Sequence, residues 1–244
     1  ANVASFMRHL LVGRFESSVA AFQSSLGYMI QSSEHILKWV ETRHKIPVYK
    51  KGNLPDVNDF YESTEDGMEE IEDIFDKYEA KGFFEIDMKY VKDDFIENVK
   101  SDLQLLNNLR EQWFGTDNSI HFDPKLDSFI KIIWRMMKND PDRKLIVFSE
   151  YADTANYLGD ALQKAGLPVM KYTSADATQA NKDRIRANFD AGLKPSLQQN
   201  EYHILVATDA ISEGYNLHRA GAIFNYDIPY NPTRVIQRIG RINR

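Results

Sequence analysis

Residues 144–150 read KLIVFSE. Four apolar residues, Leu145 to Phe148, follow one another without a polar interruption, and Ser149 and Glu150 end the run. A strand with one wet face alternates apolar and polar positions. A short, unbroken apolar run is the signature of a strand covered on both faces, as in a parallel sheet flanked by helices. The surrounding sequence agrees. Upstream, DPKLDSFIKIIWRMMK (123–138) opens with Asp123 as N-cap and Pro124 at the first helical position. Downstream come a helix (TANYLGDALQKAG, 154–166), a strand (PVMKYT, 168–173), a helix (ATQANKDRIRANFDAG, 177–192), two strands (YHILVATDA, 202–210, and AIFNYDI, 222–228) and a last helix from Pro232. Strands alternating with helices of this length predict βαβ crossovers, so the expected class is α/β.

Composition changes near residues 114–127. Before that point the spacing predicts helices, with no convincing strand alternation. Leu11, Phe15, Val19, Phe22, Leu26, Met29 and Ile30 recur at helical intervals, which predicts one long helix over about 5–44 stopped by Pro47. KGNLPDVNDFYESTEDG (51–67) is loop chemistry. MEEIEDIFDKYEA (68–80) and DDFIENVKSDLQLLNNLREQWF (93–114) read as amphipathic helices, the second with an apolar stripe of Phe95, Val99, Leu103, Leu106 and Leu109. Two regions are therefore expected: a mostly α-helical subdomain over 1–118 and an α/β lobe over 119–244.

The 244 residues are 43% hydrophobic and 12% aromatic, enough for a substantial core. No cysteine is present, which removes disulfides, thiol nucleophiles and cysteine zinc sites and suits a reducing cytoplasm. No signal peptide and no membrane-spanning run is expected. Net charge is −6, yet the last eleven positions hold four arginines and no acid, so a local cationic surface can sit on an acidic whole. There is no G-x-x-x-x-G-K-[ST] loop, no strand ending in an Asp-Glu pair, no H-E-x-x-H and no G-x-S-x-G, and no metal site is expected. Hydrolysis by these residues alone is not expected.

Chemistry is left at the strand ends, where open α/β sheets bind ligands. Ser149-Glu150, Thr173-Ser174, Thr208-Asp209 and Asp227 stand there, although polar turns end most strands. VATDAISEGYN (206–216) runs from a buried strand to Gly214, which allows close backbone approach, and to Asn216, which suits a ribose hydroxyl. In the final helix, Val235, Ile239 and Ile242 share one face, and Gln237, Arg241 and Arg244 share the opposite one if the helix continues through Gly240. The apolar side is expected to dock on the sheet. The arginine forks suit phosphate oxygens, and a solvated basic tail fits the same pattern.

Taken together, these residues resemble the C-terminal RecA-like lobe of a superfamily 2 helicase or translocase. VATDAISEGYN is similar to motif V. QRIGRINR (237–244) matches motif VI, Q-x-x-G-R-x-x-R, at every defined position. KLIVFSEY resembles motif IV, and TQANKDRIRANFD resembles the helix after the next strand, with Lys182 where many relatives have Arg. GRFESSVAAF (13–22) and DPKLDSFI (123–130) resemble segments of the Swi/Snf-like branch, including the bacterial RNA-polymerase-associated remodelling ATPases. SEGYNL keeps only part of that branch's motif V, and its ATD opening is closer to the DEAD-box type.

The resemblance implies ATP and Mg bound mainly by an N-terminal RecA-like lobe of the same parent chain. Arg241 and Arg244 act as arginine fingers, and Gln237 contacts phosphate or couples the lobes. Gly214, Asn216 and Gly240 line the nucleotide. Ser149, Thr173, Thr208, Lys182 and Arg184 meet a nucleic-acid backbone, DNA rather than RNA. The acidic helical region offers a surface for a protein partner. A RecA-like module without catalysis, binding protein or nucleic acid, is the alternative. A small-molecule α/β enzyme is disfavoured by the lack of nucleophile, metal set and glycine-rich loop.

Overall fold

The computed structural model describes residues 11–49, 82–211, 215–229 and 232–242. The expected helix over 68–80, Gly214 and Arg244 lie outside these residues. The chain divides into two compact units. One comprises Ala1–Phe22 with Ile120–Arg244, and the other comprises Gln23–Ser119.

The first unit holds a four-stranded sheet of β3 (Lys144–Phe148), β4 (Val169–Tyr172), β5 (Ile204–Ala207) and β6 (Ala220–Asn225), in the order β4-β5-β3-β6. All three pairings are parallel. Helices α3 (Pro124–Asn139), α4 (Ala152–Lys164), α5 (Gln179–Phe189) and α6 (Pro232–Ile239) complete it.

Every residue of β3 is buried, and the side chains go alternately to two cores. Leu145 and Val147 join Phe129, Ile133, Leu158 and Leu162 of α3 and α4. Ile146 and Phe148 join Ile185 and Phe189 of α5 on the other face. Strand β5 divides likewise, with Ile204 and Val206 on one side and Leu205 and Ala207 on the other. That double burial is why KLIVF shows no alternation. The α3 start is as expected, with Pro124 in the first turn and the Asp123 carboxylate accepting from Leu126 N at 2.9 Å.

Two expectations for the first half are corrected. The helix over 5–44 is not continuous. Residues 11–17 are helical, Ser18 leaves the helix, and α1 (Val19–Arg43) begins after it. Ser18 Oγ accepts from Ala21 N at 3.0 Å, a local capping bond that competes with helix continuation. Pro47 does not end the helix. Its last turn closes on His44, whose φ of 55° lies in the left-handed region, and His44 N still bonds to Val40 O. Pro47 instead lies within β1 (Lys45–Tyr49), which pairs antiparallel with β2 (Phe83–Asp87).

These strands were not expected, and their residues explain it. Pro47 interrupts one, and a long intervening segment separates them. In a two-stranded sheet both strands are edges, where proline is tolerated. Within the second unit, Trp39 is fully buried, its ring centroid 5.5 Å from that of Phe83. Its Nε1 donates to Glu85 Oε1 at 2.8 Å, and Glu85 also accepts from Arg43 Nε at 2.7 Å and Lys45 Nζ at 2.8 Å. Burial alone raises the Glu85 pKa, but the bonds from Arg43, Lys45 and Trp39 outweigh it and hold the carboxyl below its usual range. Helix α2 (Phe95–Phe114) keeps its expected stripe half-buried, with Phe114 fully buried at its end.

Candidate functional site at the heads of the parallel strands

The strands end together, and α6 lies against their ends. Its anchor is a charged residue. Arg238 is 2% exposed, and its guanidinium forks onto Asp209, with Nε to Oδ1 at 2.7 Å and Nη2 to Oδ2 at 3.0 Å. Its third nitrogen, Nη1, donates to Asn225 Oδ1 at 2.9 Å, and the group lies 5.1 Å from the Phe148 ring centroid. One side chain thus ties α6 to the residues at the ends of β3, β5 and β6. Arg234, one turn earlier, reaches Glu150 Oε1 at 3.2 Å and Asp209 Oδ2 at 3.6 Å.

The expected apolar docking of α6 through Val235, Ile239 and Ile242 is corrected in part by this arrangement, since Val235 is half-buried and Ile239 is not. Ile239 is 44% exposed, and Ile236 is 70% exposed. Among the isoleucines of this stretch, Ile242 alone packs on a core, the one that holds Ile146, Phe148, Ile185 and Phe189. The helix also stops at Ile239 rather than continuing through Gly240. Arg241 N bonds to Arg238 O at 3.1 Å, and Leu217 N bonds to Arg241 O at 3.2 Å, so the turn of motif VI is stitched to the segment after motif V. Arg238 occupies an x of the motif and was passed over. The offsets 234, 238 and 241 put three arginines on one arc of the helix, and that was the available signal.

A small recess results, lined by Phe148, Asp209, Ile211, Gln237, Arg238 and Arg241. Arg238 is consumed by its partners. The side chains of Gln237, which is exposed, and Arg241, which is half-buried, make no hydrogen bond or ion pair with the described residues. Two polar groups, one cationic, therefore stand uncommitted at the strand heads, a donor set that suits phosphate oxygens. Asn216 Oδ1 accepts from its own chain, from His218 N at 3.3 Å. Gly240 is exposed, and its N–H bonds to Ile236 O at 2.9 Å.

The expected backbone-contacting hydroxyls are placed differently from the arginines. Ser149 is fully buried and donates to Asp227 Oδ2 at 2.6 Å. Asp227 also accepts from Ser17 Oγ at 2.5 Å and, through Oδ1, from Glu150 N at 2.7 Å. Ser17 and Ser18 each share a hydrogen bond with Thr154, at 2.8 and 2.7 Å, and Lys125 donates to the carbonyls of Glu16 and Ser17. Arg14 pairs with Asp153 across the same seam. A polar seam thus clamps residues 14–18 onto the sheet end. Thr173 is 2% exposed and donates to Asp176 Oδ2 at 2.8 Å, and Thr208 is 8% exposed with Ala210 N at 3.4 Å from its hydroxyl. Lys182 and Arg184 lie on α5, Arg184 exposed and Lys182 half-buried; two residues apart on a helix, they point in opposing directions. Among the described residues no cluster of three or more His, Cys, Asp or Glu side chains is placed to hold a metal ion.

Comparison with known proteins places this geometry. Residues 124–244 match the helicase conserved C-terminal domain. The uncharacterized ATP-dependent helicase YqhH of Bacillus subtilis is 37% identical over 106 residues, covering 42% of this chain and 17% of that protein. ATP-dependent RNA helicase dbp2 of Sclerotinia sclerotiorum is 31% identical over 120 residues, 49% of this chain and 19% of that protein. The Hef helicase domain of Pyrococcus furiosus is similar in structure with a TM-score of 0.40 and 21% identity, over 77% of this chain and 32% of that one. The chain thus spans less than a fifth of the length of either curated relative. Residues 124–244, about half of the chain, thus match the helicase conserved C-terminal domain, and their parallel β4-β5-β3-β6 sheet with flanking helices is an α/β, RecA-like fold.

Proposed function

We propose that this chain supplies the second half of an ATP-hydrolysing site in a nucleic-acid-dependent motor. The observation that carries the reading is the recess itself: a buried Arg238 locks the helix, while Gln237 and Arg241 beside it stay free for a ligand. Arg241, with Arg244 three positions on in the sequence, is assigned as an arginine finger, and Gln237 as the group that senses phosphate. ATP with Mg is held mainly by an N-terminal RecA-like lobe of the same parent chain, with Gly214, Asn216 and Gly240 at the nucleotide's edge. ATP supplies the phosphoanhydride whose cleavage drives the cycle. The chain's own part is electrostatic, because a guanidinium fixed beside the transferring phosphoryl group stabilises charge as it develops.

We assign nucleic-acid contact to the strand-end side bearing Thr173, Thr208, Lys182 and Arg184, with DNA as the preferred track. Ser149, with its hydroxyl spent on Asp227 and its N–H on Ala207 O, has no donor left for a phosphate and lies outside that set. Residues 119–244, with 14–18 clamped to them, are the motor lobe, and the remainder of 1–118 is a mostly helical subdomain whose acidic stretch suits a protein partner. We favour the Swi/Snf-like branch. Support comes from GRFESSVAAF, part of which, Arg14 to Ser18, is clamped to the lobe by Asp153, Thr154, Asp227 and Lys125. The test is ATP turnover by the parent chain with and without DNA or RNA. Arg241→Ala and Arg244→Ala should each lower kcat by roughly 10³-fold or more. Near-normal turnover in both variants refutes the finger assignment, whereas no turnover by the parent chain leaves the module without catalysis.

A further inference from the structure

Helix α3 buries one face completely: Leu126, Phe129, Ile133 and Met137 all lie in the core beside β3. The opposite face carries Lys131, Trp134, Arg135 and Lys138, spaced i, i+3, i+4 and i+7, which brings them onto one stripe. All four are exposed, Trp134 at 47%. None of the three cations makes a hydrogen bond or ion pair through its side chain, and Trp134 has no ring partner. One carboxylate, Asp127, shares the stripe a turn before Lys131, and it leaves the surplus positive.

This arrangement has no role in the fold. The core is complete without Trp134, and holding a large indole half in water is unfavourable by its lost burial. Three unpaired cations also cluster on a chain whose net charge is −6. Lys131 and Lys138 are about 10 Å apart along the axis at 1.5 Å per residue, the reach of a short run of phosphates on one strand. Cations that follow a phosphate backbone, with an aromatic platform between them, are the parts used to hold unpaired nucleic acid. A duplex shields its base faces and leaves the indole unused.

We propose that the solvent face of α3 is a nucleic-acid contact separate from the strand-end site, taking a single strand whose phosphates meet Lys131, Arg135 and Lys138 while one base stacks on Trp134. The inference rests on the nucleic-acid-dependent reading above and extends the track to a second surface of the lobe.

The test is fluorescence anisotropy of this chain with a labelled oligothymidine of roughly 20 nucleotides, long enough to span both surfaces. Titrations run between about 50 and 200 mM salt. Replacing Lys131, Arg135 and Lys138 by Ala together should make the slope of log K against log salt shallower by about 2, from three contacts at ~0.7 each. Trp134→Ala should weaken the oligothymidine about tenfold, consistent with one lost stack. The same variant should abolish most of the tryptophan quenching on binding and leave a matched duplex unaffected. Far-UV circular dichroism confirms that these surface variants fold. Unchanged affinity and slope overturn the proposal. So does an equal loss for the duplex, or displacement of the oligonucleotide by polyglutamate of equal charge. If Lys182→Ala with Arg184→Ala weakens binding while the α3 variants do not, the proposed function stands and this inference fails. If the wild-type chain binds no nucleic acid at low salt, both fail.

Discussion

Arg238→Ala should be the most damaging substitution in α6, although the residue lies at an unspecified position of its motif. The guanidinium is 2% exposed and makes three hydrogen bonds, two of them to one carboxylate. Removing one partner of a buried ion pair costs about 3–5 kcal/mol, because the other charge is left without compensation. The Asp209 side chain is a quarter exposed, and Arg234 lies within 3.6 Å of its Oδ2, so water and a second cation recover part of that loss. A cost of about 2–4 kcal/mol follows. Arg234 is 47% exposed, and its pairs are worth less than about 1 kcal/mol. Urea unfolding of the wild type, Arg238→Ala, Arg234→Ala, Asp209→Ala and the Arg238/Asp209 double variant measures these terms and their coupling. Hydrogen exchange should show amides of α6 and β6 losing protection in Arg238→Ala and keeping it in Arg234→Ala. If Arg238→Ala costs no more than Arg234→Ala, the buried fork is not what holds the helix.

Two further predictions concern stability. Lys144 is 4% exposed, donates to Tyr202 O at 2.6 Å, and is pushed by burial and then by the Arg219 charge from 10.5 to about 8. Its folded pKa lies below the unfolded one, so between about 8 and 10.5 unfolding takes up a proton and stability rises with pH; below 8 both states are protonated and the folded state bears the full penalty. Wild-type stability should therefore gain on the order of 2–3 kcal/mol over that window relative to Lys144→Met, at ~1.4 kcal/mol per unit. Parallel curves for the two proteins in urea melts refute it. Asp227→Ala should destabilise the lobe by about 2–4 kcal/mol by removing the acceptor shared by Ser17, Ser149 and the Glu150 N–H. Asp227→Asn should cost less, since one oxygen can still accept from Glu150, and equal losses in urea unfolding would contradict this hydrogen-bond assignment.

Much of the lobe was legible because its signals are local. An unbroken KLIVF requires two covered faces, and Asp123-Pro124 writes a helix start whatever lies around it. The β1/β2 pair was not legible. Its strands are short, one contains Pro47, and their partners are distant in sequence, so no local pattern marked them. The break at Ser18 was hidden for the opposite reason, since the apolar spacing runs on through it while hydroxyl bonds to Thr154 hold the two serines.

At the site, the nearness of Gln237 and Arg241, which line one recess, was readable from their spacing of four. Which polar groups remain free was not readable. Ser149, Thr173 and Arg238 look as available in the sequence as Arg241 does. Folding spends the first on Asp227, the second on Asp176 and the third on Asp209 and Asn225.

The sequence by itself determined the parallel α/β lobe and the helix that carries the motif, since hydrophobic period and end-capping act between near neighbours. Tertiary structure alone decided that a buried arginine, rather than an isoleucine face, docks that helix. That outcome depends on Asp209 and Asn225 arriving at adjacent strand ends, because a charge can be buried only where partners far away in the chain are already in place to receive it.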